Sequence, residues 1–170
     1  MRLIDVVETS ADVARDRSRI RKTTVLADAL SQATDEELPV VVAWLSGEIP
    51  QGRLGVGWRS LSKLMAPPAD SPTLEVAAVD AALGELASAS GPGSTKRRGE
   101  IIASLFAAST ESEQKFLVAL LTGELRQGAL AGVMTDAIAK VTGQDLALVR
   151  RANMLTGSLP VTAALARFGA

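Results

Sequence analysis

Two glycine-rich turns that recur 76 positions apart are the residues of this sequence best suited to binding chemistry. Residues 34–54 and 110–130 are identical at ten of 21 paired positions, and both contain Gly-Glu-apolar-x-Gln-Gly-x-Leu. Glycine lets backbone amides approach a ligand closely, and a following helix start favours an anion. The repeat therefore predicts a pair of phosphate-binding turns. The alternative is that the glycines only permit tight turns.

Composition excludes most catalytic chemistry. The 170 residues contain no cysteine and no histidine, which excludes disulfides, thiolate or imidazole zinc sites, and Ser-His or Cys-His nucleophile pairs. The formal net charge is -1, so a nucleic-acid partner would have to be held by local patches or backbone amides. No apolar run reaches the ~20 residues of a membrane span. No signal-peptide pattern is found, and we expect a cytoplasmic protein without a membrane partner.

Other candidate residues favour structural roles. Glu48 and Glu124 are equivalent in the repeat, but a shared turn-stabilising hydrogen bond explains them more simply than a catalytic carboxylate pair. Residues 91–96 lack the spacing of a nucleotide-binding loop. The arginines between positions 15 and 21 indicate a solvated helix face, with a phosphate-facing strip as the alternative. Trp44 and Trp58 have helical spacing typical of the core, although Trp58, beside a glycine turn, could instead lie near a ligand.

The elements that position these turns are helices. The chain is rich in alanine, leucine and valine, only 3% is aromatic, and no alternating run predicts a strand. Thr34 with Glu37 and Thr110 with Glu113 form predicted capping boxes. We predict an all-α compact bundle of about nine or ten short helices.

Several helix boundaries follow from local signals. Helices are predicted at 12–30, 34–48, after the turn at 55–57, from Thr73, from Ser94 or Thr95, at 110–123, 130–141 and 145–155, and from Ser158. The whole chain, 1–170, is expected to be a single domain. It contains an internal pseudo-two-fold duplication, with copies at about 34–65 and 110–142.

These motifs together resemble a known family. The order and spacing of four segments are similar to those of the N-terminal DNA-binding domain of ATP-dependent DNA ligases, especially the bacterial actinobacterial-type and archaeal enzymes. The segments are Leu-Ser-Gly-Glu-Ile-Pro at 45–50, Leu-Gly-Val-Gly at 54–57, Gly-Ser-Thr-Lys-Arg-Arg at 93–98, and Leu-Thr-Gly-Glu-Leu-Arg-Gln-Gly at 121–128. Ile101, Ile102, Leu105 and Phe106 extend the third.

The resemblance implies a non-catalytic helical domain that grips the minor-groove side of nicked duplex DNA through sugar-phosphate contacts. It also implies three groups of contact residues. The first is Gly123, Arg126 and Gly128; the second is Gly52, Arg53, Gly55 and Gly57; the third is Ser94, Thr95, Lys96 and Arg97. The implied partners are nicked duplex DNA and the catalytic domains of the same ligase, with the domain itself a monomer.

Two departures from the family pattern matter. No lysine lies in the Lys-x-Asp-Gly motif that carries AMP, so this chain alone should be inactive, with no metal and no cofactor of its own. The parent enzyme would use ATP and Mg²⁺. In the first repeat copy Pro50 stands where the second has Arg126, so the second copy is expected to contribute more affinity. The alternative function is a helical-hairpin protein-interaction scaffold with no nucleic-acid role.

Overall fold

Helices dominate the computed structural model, which describes residues 1–125 and 130–169. Ten helices lie within these residues: α1 (Leu3–Arg15), α2 (Arg19–Ser31), α3 (Glu37–Leu45), α4 (Trp58–Leu64), α5 (Val76–Ser88), α6 (Ser94–Ala107), α7 (Glu111–Leu121), α8 (Leu130–Thr142), α9 (Leu146–Thr156) and α10 (Leu159–Phe168). The only β-type pairing within the same residues is one isolated bridge between Arg2 and Glu75. The all-α prediction is confirmed.

Two predicted helix boundaries are wrong, one for a local reason and one because of a distant segment. The helix predicted at 12–30 is interrupted, because Asp16 accepts a hydrogen bond from the Ser18 amide at 2.8 Å and Ser18 then caps α2. Thr73 does not cap α5. Leu74 and Glu75 instead precede the helix and lie against the amino terminus, where Leu3 donates to the Leu74 carbonyl at 2.8 Å and Arg2 pairs with Glu75. The helix therefore begins only at Val76.

The core is centred on α3, which packs against α10, α5 and α1. Its apolar residues are almost completely buried, and Trp44 is 0% exposed, which confirms the core prediction for that residue. On the other side α8 packs against α2, α9 and α10. The turn that follows α3 is thereby attached to a closely packed helix, and α7 packs against α1.

Both predicted capping boxes are present. The Thr110 hydroxyl accepts from the Glu113 amide, and the Glu113 carboxylate accepts from the Thr110 amide at 2.9 Å. Thr34 and Glu37 make the same reciprocal pair at 3.2 and 2.9 Å, one turn ahead of the regular part of α3. The two repeat copies therefore begin alike.

None of the helices in the described residues is both long and apolar enough to cross a bilayer.

Candidate nucleic-acid interface

The first repeat copy ends its helix in a closed glycine turn. Gly47 has a φ of +80° and donates to the Trp44 carbonyl at 3.0 Å. Glu48 donates from its backbone amide to the Ala43 carbonyl at 2.8 Å. This pair of bonds is the Schellman motif, which ends a helix and requires a left-handed residue at the position of Gly47.

The second copy closes in the same way. Gly123 has a φ of +74°, and its amide donates to the Leu120 carbonyl at 3.3 Å. The Glu124 amide reaches the Ala119 carbonyl at 2.8 Å. The glutamates that follow both glycines are exposed and contribute their amides to the turns. The prediction of a shared turn-stabilising hydrogen bond is confirmed, and the backbone amide of each glutamate makes the bond while its carboxylate takes no part in it.

The two turns meet in space. A Cβ atom built on Gly47 would lie 2.6 Å from the carbonyl oxygen of Leu125, which belongs to the second copy. A Cβ atom on Gly123 would meet nothing within 4 Å among residues 1–125 and 130–169. Residues about 76 positions apart in sequence therefore form one surface, with Gly47 at the junction and Gly123 open.

That surface is an open depression of about 1020 Å³, lined by the turns of both copies. Five predicted site residues line it: Gly52, Arg53, Gly55, Gly57 and Gly123. Arg126 and Gly128 lie outside the described residues. In the part of the chain that the structure describes, no side chain covers the backbone at Gly52, Gly57 or Gly123, since a Cβ atom on each would meet nothing within 4 Å there. A ligand can therefore approach this backbone closely.

The third predicted contact, at the start of α6, does not line the depression. Ser94 is half-buried, and Thr95, Lys96 and Arg97 are exposed. Gly93 is the residue before the helix and has no side chain to cap it, and the first turn contains no acidic residue. Cations at a helix amino terminus oppose its dipole, whereas a bound anion would complement it.

Arg97 has a partner within the chain. Its guanidinium lies 2.7 Å from the Glu85 carboxylate, and both side chains are 58% exposed. An exposed ion pair contributes only about 0–1 kcal/mol, so Arg97 could exchange Glu85 for a phosphate at little cost.

Two residues that the prediction left out hold the first glycine turn in place. Arg98 donates to the Leu86 carbonyl at 3.1 Å and also to the Leu54 carbonyl, within the turn itself. Gln51 donates to the Asp80 carboxylate at 2.8 Å. Arg98 belongs to the recognised 93–98 segment, but its role as a tie between α6 and the turn could be found only from the tertiary structure.

The comparisons with known proteins point to one family. Residues 65–139 match the family described as DNA ligase N terminus. A probable DNA ligase of Mycobacterium sp. (strain KMS) is 54% identical over 168 residues, covering 96% of this chain and 32% of that protein. A probable DNA ligase of Nocardia farcinica is 52% identical over 169 residues, covering 99% of this chain and 32% of that protein. A probable DNA ligase of Streptomyces griseus is 53% identical over 159 residues, covering 94% of this chain and 31% of that protein.

The resemblance to the DNA ligase N terminus is therefore confirmed. The chain spans about a third of the length of the curated relatives it matches.

Positive charge is also concentrated beside the depression in this chain. Residues 49–69 contain Arg53, Arg59 and Lys63 and no acidic residue. All three side chains are exposed. Within the part of the chain that the structure describes, none of them forms an ion pair. A balanced net charge thus hides a local cationic surface.

The arginines near the start of α2 differ from this surface. Arg19 pairs with Asp136 at 2.9 Å, Arg21 lies 3.9 Å from Asp16, and Arg15 pairs with Asp12. Carboxylates already neutralise most of this strip. The pairing favours the interpretation as a solvated face over the phosphate-facing alternative.

Across residues 1–125 and 130–169, no group of three or more acidic residues lies close enough together to hold a metal ion.

Proposed function

We propose that this chain is the non-catalytic DNA-binding domain of an ATP-dependent DNA ligase, and that it grips the minor-groove side of nicked duplex DNA. The observation that carries the proposal is the single depression that Gly52, Arg53, Gly55, Gly57 and Gly123 line together. Its backbone is open, and the cationic stretch 49–69 adjoins it. The similarity to probable DNA ligases supports the same reading.

The chemistry fits sugar-phosphate contacts. Backbone amides and arginine side chains donate to phosphate oxygens, and such contacts position a protein on DNA without reading its sequence. A nick can occur in any sequence, so a sequence-independent grip suits a nick-sealing enzyme. The two turns would hold the strands on either side of the groove, and Ser94, Thr95, Lys96 and Arg97 would add a third contact at the start of α6.

Catalysis belongs to the rest of the parent enzyme in this proposal. There, ATP and Mg²⁺ would support transfer of AMP to an enzyme lysine and then to the 5′-phosphate of the nick. This chain has no lysine in the required motif. Its part is to bind and orient the duplex for the catalytic domains, which are its second partner.

Fluorescence anisotropy tests the proposal directly. The purified chain is titrated into labelled nicked, intact and single-stranded DNA at several salt concentrations. We expect duplex binding that is similar for unrelated sequences and that weakens as salt rises, because phosphate contacts release counterions. Absence of duplex binding at low salt would contradict the proposal and favour the helical-hairpin scaffold.

Arg126→Ala tests the second turn. Loss of one charged hydrogen bond should weaken DNA binding by roughly 1–2 kcal/mol while the fold stays intact. Arg53→Ala should have a smaller effect, since the second copy is proposed to contribute more affinity. Arg151→Ala is the matched control, because it removes the same charge from an exposed position on α9. Equal losses in all three variants would indicate a general charge effect and not a site.

Labelled ATP tests the non-catalytic assignment. We expect no covalent adenylation of this chain with Mg²⁺ present. A labelled protein band would contradict the proposal that this region lacks the nucleophile.

A further inference from the structure

The two tryptophans of this chain have opposite environments. Trp44 is 0% exposed in the core, whereas Trp58, the first residue of α4, is 60% exposed. The helical spacing of Trp58 favoured a core position, and the structure corrects that interpretation. The fold therefore presents a large aromatic side chain to solvent.

Packing of α4 explains why Trp58 is left outside. The helix uses Leu61, which is 0% exposed, as its buried contact, and Leu64 packs at the edge of the core. Neither contact requires the indole. Covering this apolar surface with a partner would be favourable, because removing apolar area from water lowers the free energy.

The surroundings of Trp58 indicate what the partner is. The residue directly before it, Gly57, lines the depression between the two glycine turns. Arg53, Arg59 and Lys63 flank it and are exposed, and residues 49–69 contain no acid. A surface with an indole among unpaired cations is complementary to a polyanion that also has apolar faces.

We propose that Trp58 is an apolar contact of the DNA interface, where its indole packs against the deoxyribose faces that line the groove. This inference rests on the proposed function. The amides and cations would take the phosphates, and the indole would cover the hydrocarbon part of the sugars between them. Bases in a nicked duplex remain stacked, so the sugars are the apolar surface within reach. Every nucleotide has the same sugar, which keeps this contact independent of sequence.

Fluorescence quenching measures the contact directly, because only Trp58 is accessible to a collisional quencher. Acrylamide quenching of the chain is recorded with and without saturating nicked duplex. We expect DNA to lower the quenching constant of the exposed tryptophan at least about twofold, since a buried indole is shielded from solvent. Trp44→Phe isolates the Trp58 signal. If that variant does not fold, the difference between the unaltered chain and Trp58→Phe gives the same information.

Affinity gives a second readout. Trp58→Ala should weaken binding to nicked duplex about five- to twentyfold, in line with loss of a buried aromatic contact. Trp58→Phe should retain much of the affinity, because a smaller ring still covers the sugar. Phe168→Ala is the matched control, since Phe168 is an aromatic residue 70% exposed at the end of α10. It should leave the affinity unchanged.

Salt dependence separates this contact from a charge effect. Trp58→Ala should leave the slope of log affinity against log salt unchanged, because no counterion is involved, whereas Arg126→Ala should reduce it by about 1.

The outcomes distinguish the two proposals. If duplex DNA binds but neither quenching nor affinity depends on Trp58, the contact is wrong while the proposed function stands. A salt slope altered by Trp58→Ala would also overturn an apolar contact. If no duplex binds, the proposed function fails and this inference fails with it.

Discussion

Gly47 and Gly123 close the same turn in the two repeat copies, yet among the described residues only Gly47 lies against another part of the chain. The carbonyl oxygen of Leu125 occupies the space where a Gly47 side chain would begin, and the corresponding space at Gly123 is open. Both glycines are required by backbone conformation, but only one is also required by packing. The two repeat copies therefore share one turn, which lies at the junction between the copies at Gly47 and faces open space among the described residues at Gly123.

The first turn is also tied to the rest of the fold by side chains. Gln51 binds Asp80 on α5, and Arg98 on α6 binds the Leu54 carbonyl. These ties come from segments outside the repeat. The comparison of the two copies thus predicts that substitutions in the first turn affect mainly stability, and that those in the second affect mainly binding.

The glycine pair should give the largest difference. Gly47→Ala adds left-handed strain and a clash with a backbone oxygen, and should lower the free energy of unfolding by about 2–4 kcal/mol. Gly123→Ala adds strain alone and should cost about 1–2 kcal/mol. Urea unfolding measures both. Equal losses would show that the contact with Leu125 contributes nothing to stability.

Arg98 and Arg97 are neighbours on α6, but substituting Arg98 should mainly lower stability, whereas substituting Arg97 should mainly weaken DNA binding. Arg98→Ala removes two hydrogen bonds to carbonyl groups and should lower the free energy of unfolding by about 2–3 kcal/mol. Arg97→Ala removes an exposed pair and should change it by less than about 0.5 kcal/mol, while weakening DNA binding. Unfolding and anisotropy on both variants check this. A stable Arg98→Ala variant would mean that the first turn does not need its tie.

The capping-box glutamates, Glu37 and Glu113, should differ least, and the difference should be seen in how the free energy of unfolding depends on pH. Glu37 Oε1 accepts a hydrogen bond from the amino-terminal ammonium of Met1 at 2.9 Å, whereas Glu113 Oε2 has no partner in the described residues. The hydrogen bond to Glu37 raises the pKa of the Met1 ammonium above 8.0. Burial opposes ionisation of Glu37, but hydrogen bonds from Thr34 and Met1 outweigh it and hold its pKa below 4.5.

The stabilisation from this pair should therefore be full between pH 4.5 and 8.0. It should fade as the pH rises through the raised pKa of the ammonium and as it falls through the lowered pKa of Glu37. The size should be about 1 kcal/mol, because the largely buried pair gains a charged hydrogen bond while both of its charges lose solvation. Unfolding of an untagged chain and of Glu37→Gln across this range checks it. An alkaline loss that persists in Glu37→Gln would assign the effect to another group.

Local sequence signals determined the elements of this protein. The capping boxes at Thr34 and Thr110 and the glycines at 47 and 123 each place a helix end, because hydrogen bonding within a few residues decides those ends. The all-α class followed from composition and from the absence of alternation. Boundaries failed where distant segments intervened, as at Thr73, where the amino terminus pairs with residues 74–76.

Only the tertiary structure decided how the site is assembled. Sequence alone identified Gly52, Arg53, Gly55, Gly57 and Gly123 as candidates, but their meeting in one depression depends on how α3 and α7 are packed. Arg98 and Arg97 bond to partners that lie 12 or more residues away in the sequence. Trp58 is exposed because no distant segment among the described residues packs over its side chain. Backbone conformation is decided by interactions within a few residues, whereas the burial of a side chain and the pairing of its charge depend on how the whole chain folds.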